Sequence, residues 1–227
     1  MIVSVHQPQY LPWAGYFDKI DQADVFVLLD NVQFKKNEWQ NRNRIKTAQG
    51  VQWLTVPVRY KFMQLINEVE INNQDHWQHR QEQSIRTNYR RSPFWTVLAD
   101  LFDELFSRPW QRISELNIFV VKRLVEILGI TTPLYVSSEL NVIAEDPDER
   151  LIDLARFFHA DTYLAGSGGK HYMDLKTYKA AGIKVIFQDY QYPEYSQLFG
   201  AFEPFLSVID LIYNHGPDSL KILKRKS

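Results

Sequence analysis

The chain has 227 residues, 45% of them apolar and 14% aromatic, with no cysteine and a formal net charge of −1. That composition can bury a sizeable core and excludes intrinsic disorder, while the missing thiols exclude disulfides, cysteine nucleophiles and cysteine-bearing zinc sites. A near-neutral chain has no global field to gather nucleic acid or an anionic membrane, so DNA is not an expected partner.

Met1 to His6 lacks the basic start and long apolar stretch of a secretory signal, and no run reaches the ~20 apolar residues that span a bilayer. The expected location is therefore cytoplasmic, without membrane insertion. Ile2 to Val5 reads as a strand. After the breaks at Pro8 and Pro12, the spacing of Trp13, Tyr16, Phe17 and Ile20 predicts a helix to about Gln22. Val25 to Leu29 is a second strand, and Asn37 to Gly50 is a polar, basic loop before a third strand at Trp53 to Val58. Asn67 to Ile71 reads as a short edge strand. From about 74 to 129 the pattern is helical, in three segments separated near Pro93 and Pro109.

Alternation resumes with a strand at Leu134 to Val136 and a helix capped by Asp146, with Pro147 at its first position. A strand at Thr162 to Leu164 then leads through Gly166-Ser167-Gly168-Gly169 into a helix to about Ala181. Ile183 to Phe187 is a further strand, and Leu206 to Tyr213 a last helix. Strands alternating with helices predict an α/β fold: a mostly parallel three-layer sheet with a helical insertion, in a single domain spanning 1–227. Ligands bind such sheets at the carboxyl ends of strands near a topological switch point, and His6, Asp30, Gly166 and Asp189 each follow a strand.

Four segments carry candidate chemistry. In the first, His6 and Gln7 end a strand before two stiffening prolines, and Tyr10, Trp13 and Tyr16 follow as binding aromatics or as core. In the second, Asp30 at a strand end leads into Gln33, Lys35, Trp39, Asn41, Arg42, Arg44 and Lys46, a cation and amide cluster suited to a phosphate or carboxylate. The alternative is a solvated basic loop with Trp39 as its anchor. The third runs through Gly166, Ser167, Gly168, Gly169 and Lys170 to Tyr172, where glycines let backbone N–H groups face an anion. Its spacing is neither a P-loop nor a dinucleotide fingerprint, and a strand-to-helix turn uses glycines for geometry alone. The fourth offers Asp189 to orient a histidine or bind a hydroxyl, or to cap a turn. His76 and His79 lack a third ligand, so no metal is expected.

His6-Gln7-Pro8-x-Tyr10-Leu11-Pro12-Trp13-x-Gly15-Tyr16-Phe17-Asp18-Lys19 resembles the signature start of the WbqC-like family. So do Val32 to Lys36, Trp39 to Lys46, Leu54 to Val58, Gly166 to Tyr172, Gln188-Asp189 and Leu206 to Asp210, in order along the chain. The resemblance implies bacterial surface-polysaccharide biosynthesis, with an N-acyl or aminoacyl group such as glycyl passed to the amine of a nucleotide-linked amino sugar. The implied partners are a sugar nucleotide and an acyl donor, a thioester being one form. Whether the donor rides on a carrier protein, a coenzyme or a tRNA stays open. In such a reaction His6 would be the base, Asp30 or Asp189 would orient it, and Gln7 and Asn41 would donate to the oxyanion. Relatives are expected to carry a histidine four residues after Trp77; here that position is Gln81, with His79 nearby.

The opening order of strand, histidine turn, helix and strand is also similar to nucleotidylyltransferases such as pantothenate synthetase, whose His-x-Gly-His is missing here. That similarity gives a nucleotidylyltransferase-like Rossmannoid as the expected architecture and ATP-dependent nucleotidyl transfer or ligation as an alternative reaction. A non-catalytic sugar-nucleotide binding module is the third reading.

Overall fold

The computed structural model describes residues 1–142 and 144–224. Strand β1 (Ile2–His6), helix α1 (Ala14–Asp21) and strand β2 (Val25–Leu28) open the chain. Next come β3 (Arg42–Thr47), β4 (Gly50–Thr55), β5 (Val58–Arg59) and β6 (Glu70–Ile71), then α2 (Trp77–Tyr89), α3 (Ala99–Ser107) and α4 (Ile113–Leu128). Alternation returns with β7 (Leu134–Val136), α5 (Pro147–Phe157), β8 (Thr162–Ala165), α6 (Leu175–Ala180) and β9 (Lys184–Phe187), and α7 (Val208–His215) and α8 (Ser219–Leu223) follow.

Five strands form one sheet in the order β7-β2-β1-β8-β9, and each neighbouring pair is parallel. From β1 the chain first moves outward to β2 and β7, then crosses back to lay β8 on the other side of β1. The direction of winding reverses at β1 and β8, the doubly wound, Rossmann-like arrangement that opens a crevice beyond those two strand ends. Period-two alternation divides the sheet between two cores. Val3, Val5, Val25 and Val27 join Ile152 of α5 and Tyr178 of α6 on one face. Phe26 and Leu28 join α1, α4 and α7 on the other, the larger core, which makes the fold three-layered.

The helical stretch consists of α2, α3 and α4, with breaks at the two expected prolines. Asp146 caps α5 by accepting from the backbone of Asp148 at 2.9 Å and Glu149 at 3.0 Å. The Asn37 to Gly50 segment differs from its reading as a loop. Its second half is β3, paired antiparallel with β4 in a hairpin separate from the main sheet. Arg42 and Arg44 alternate with buried Asn43 and Ile45, so the period of two is present, but a single apolar residue carries it. The strand expected at Trp53 to Val58 is likewise β4 followed by the two-residue β5, which pairs with β6. The glycine turn after β8 is a short 3₁₀ helix, Ser167–His171, and α6 begins only at Leu175.

Candidate functional site

A cavity of about 390 Å³ opens at the carboxyl ends of β1 and β8, where the topology places a crevice. His6 and Gln7 form one wall, and Gly166, Gly168, Gly169 and Tyr172 the opposite one. Lys35 stands at the mouth and Lys19 of α1 reaches the floor. Three basic side chains and no carboxylate therefore line it among the described residues. A groove of about 490 Å³ between α2, α3 and α7 is larger but has an apolar floor of Ile85, Phe102 and Tyr213 and contains no strand end.

His6 is half-buried, its ring 5.1 Å from that of Tyr16, and its Nε2 lies 3.2 Å from the side-chain nitrogen of Gln9. Burial, reinforced by the charge of Lys19, holds its pKa down at about 3. The imidazole is thus neutral across the ordinary pH range. Tyr16 donates to the Gln7 carbonyl at 3.1 Å, fixing the turn from behind. Gln7 is oriented in its turn by Gln40, whose Nε2 donates to its Oε1 at 2.9 Å, which leaves the Gln7 amide hydrogens for the cavity. The same Gln40 accepts from the Lys35 backbone at 2.8 Å. Asn117 of α4 donates to the carbonyls of Pro8 and Gln40 at 3.1 and 2.7 Å, so the helical stretch pins both site loops.

A pH effect on stability follows. In the unfolded chain a histidine takes its proton near 6.5, and here near 3, so between those values the unfolded state binds more protons. This group's contribution is complete above pH 6.5 and falls as the pH drops toward 3. His6→Gln is expected to flatten that part of the stability profile. Identical pH 4 to pH 6.5 differences in urea denaturation for the two proteins would contradict the shifted proton affinity.

Sequence reasoning did not single out Lys19, Gln40 or Asn117. Lys19 lies three residues after Tyr16 and Asn117 four after Ile113, both on the apolar arc of their helices, and a polar residue there was the available signal. Gln40 offered no such pattern.

Of the residues expected at the site, His6, Gln7, Lys35, Gly166, Gly168, Gly169 and Tyr172 come together around the cavity. Ser167 and Lys170 are exposed on the same turn, with the Lys170 amine 5.6 Å from the Phe187 ring. Tyr16 acts from behind His6. The others lie elsewhere. Asp30 does not orient His6, because its two oxygens accept from the backbone and hydroxyl of Ser138 at 2.9 and 2.7 Å. Asp189 is exposed beyond β9 and bonded to Gln191. Tyr10 is wholly buried and donates to Gln81 at 2.6 Å, while Gln81 donates to the Thr55 carbonyl. Gln81 is thus a bracket between elements, and His79 is exposed on α2 outside the cavity lining.

Asn41 is buried against Val56, and Lys46 ties β3 to the carbonyls of Gly200 and Ala201, so neither is free to hold a ligand. Gln33 bridges to Leu65, and Trp13 packs against Tyr190, Tyr192 and Phe205. Arg42, Arg44 and Trp39 form a separate platform with Trp53 on the hairpin. The Arg42 guanidinium lies 4.2 Å from the Trp53 ring centre, and the two indoles 5.7 Å apart.

Among the described residues no cluster of three His, Asp or Glu could hold a metal ion, and no helix is long and apolar enough to cross a membrane. No solved structure matches the chain. An uncharacterized protein, Rv1507c of Mycobacterium tuberculosis (strain ATCC 25618 / H37Rv), is 36% identical over 230 residues, covering 98% of this chain and 99% of that protein. The model of the WbqC-like protein family matches residues 7–222, from the Gln7 wall of the cavity to α8. The chain belongs to the WbqC-like protein family.

Proposed function

We propose that the protein transfers an N-acyl or aminoacyl group, such as glycyl, to the amine of a nucleotide-linked amino sugar in bacterial surface-polysaccharide biosynthesis. The observation that supports this reading is the switch-point cavity itself, where Lys35 stands at the mouth and no carboxylate lines the wall among the described residues. A phosphate or carboxylate of the ligand pairs with the Lys35 ammonium. The first N–H groups of the 3₁₀ turn, at Ser167 and Gly168, have no partner within that turn and add donors beside it.

In the transfer the acceptor amine attacks the acyl carbonyl, the bond from that carbon to the donor's leaving group breaks, and the proton the amine gives up departs with the leaving group. His6, kept neutral, accepts from the Gln9 amide at Nε2, and the attacking amine takes that donor's place there, which aims its lone pair. The oriented Gln7 amide donates to the oxygen on which charge develops. The Arg42, Arg44, Trp39 and Trp53 platform offers a face on which a planar base can stack.

A thermal-shift screen of amino-sugar nucleotides, ATP with Mg²⁺ and acyl thioesters tests the reading. A ligand at 100 times its dissociation constant adds ~2.7 kcal/mol of stability. Stabilisation by an amino-sugar nucleotide, diminished in Lys35→Ala, is the expected result. Stabilisation by ATP alone would replace transfer with nucleotidyl chemistry. With donor and acceptor identified, His6→Gln is expected to slow turnover ~10²-fold with little loss of binding.

A further inference from the structure

The transfer reading leaves Lys19 without a role. Its side chain is 3% exposed and reaches the cavity floor. The Nζ donates to one acceptor, the Val5 carbonyl near the end of β1, at 2.9 Å. No ion pair forms at this amine among the described residues, and the neighbouring carboxylate, Asp18, is engaged by Gln22 and Gln188. Among the described residues, the other titratable groups facing the cavity are His6 on β1, Tyr163 on β8, Tyr172 after the glycine turn and Lys35 at the mouth, and none is a carboxylate. A buried ammonium with one hydrogen bond and no counter-ion is costly, and the neutral amine is the form such a site favours.

We propose that Lys19 is an attachment point for a carbonyl compound bearing a phosphate or carboxylate, held in the switch-point cavity as an imine. The Nζ lone pair adds to the carbonyl carbon to give a carbinolamine. Water then leaves with the carbonyl oxygen and the two amine hydrogens, and a C=N bond remains, with no oxidant or reductant required. Protonated, the imine keeps one N–H for the Val5 carbonyl, so the anchoring hydrogen bond survives the reaction. Lys35 and the Gln7 amide supply the handle for the anionic group. Burial lowers the Lys19 pKa to about 7, so a large share of the amine is free at neutral pH, where an exposed lysine is almost wholly protonated.

Pyridoxal phosphate is a suitable probe, because it joins an aldehyde to a phosphate. The full-length protein is titrated with it, the imine is followed by absorbance and fixed with borohydride, and the modified peptide is mapped. The expected result is one equivalent on Lys19, half-saturated at a concentration ~10-fold or more below that needed by surface lysines, with a pH midpoint near 7. Lys35→Ala is expected to weaken the reaction with pyridoxal phosphate but not with pyridoxal, which lacks the phosphate. Lys19→Met should abolish the adduct. Label spread over surface lysines, with Lys19 unmodified in the wild type, would overturn the proposal whether or not the Lys19 variant folds. A sugar-nucleotide thermal shift with no Lys19 adduct would overturn it and leave the transfer reading standing.

Discussion

Replacing Gly15 by alanine is expected to cost about 3 kcal/mol of stability, because the added methyl has no space. A Cβ there would lie 2.2 Å from Cη2 of the Trp13 indole and within 2.6 Å of two further ring carbons. Glycine is helpful here for want of volume, not for backbone freedom. The indole cannot swing aside cheaply: it lies parallel to Tyr192, meets Tyr190 edge-on, and touches Phe205. Moving it uncouples the start of α1 from the segment before α7, where Trp13 also bridges to Ser207. The loss of packing adds to the clash. Denaturant midpoints and near-ultraviolet circular dichroism read the two effects together. A stability change below about 0.5 kcal/mol, the range of ordinary surface changes, would show that the indole relocates without penalty.

A loss of similar or larger size is expected at Asp210, which is completely buried on α7. Its two oxygens accept from Tyr89 of α2 at 2.8 Å and from Tyr195 at 3.0 Å. Tyr89 in turn accepts from the backbone of Lys46 on β3 at 3.0 Å. One carboxyl group thus joins a helix, a hairpin and the segment after β9. Burial pushes its pKa up, and the two tyrosine hydroxyls and Lys46 pull against that rise. Asp210→Ala leaves both hydroxyls without an acceptor and is expected to cost about 3–5 kcal/mol. Asp210→Asn keeps one acceptor oxygen and should recover part of this. Urea denaturation of the two variants tests this, since equal losses would show that the acceptor oxygen kept by asparagine recovers nothing.

The parallel sheet was legible because its strands are short apolar runs between recognisable helix signals, as with Asp146-Pro147 before α5. The hairpin was not, since Arg42 to Thr47 carries its alternation on charge and amide rather than on apolar residues. At the site, position in the topology was readable but partnership was not. His6, Gln7 and the glycine turn follow β1 and β8, and strand order brings those two ends together. Asp30 follows a strand equally well, yet hydrogen bonding to Ser138, more than a hundred residues away, removes it from the chemistry. Lysines misled in both directions. Lys46, in the most basic stretch, is spent on backbone carbonyls, whereas Lys19, inside an apolar helix face, reaches the cavity. Tertiary contacts decide both cases.

The central strand pairs on one side with β2, some twenty residues later, and on the other with β8, where Ser4 donates to the Leu164 carbonyl across 160 residues of chain. During translation at roughly 5–20 residues per second, that separation leaves one edge of β1 unpaired for about 8–30 s after it is made. An apolar strand with a free edge is a template for pairing with another chain. The growing protein is therefore most exposed to misassembly before Thr162 to Ala165 emerges, and chaperone occupancy during synthesis should fall once β8 has docked.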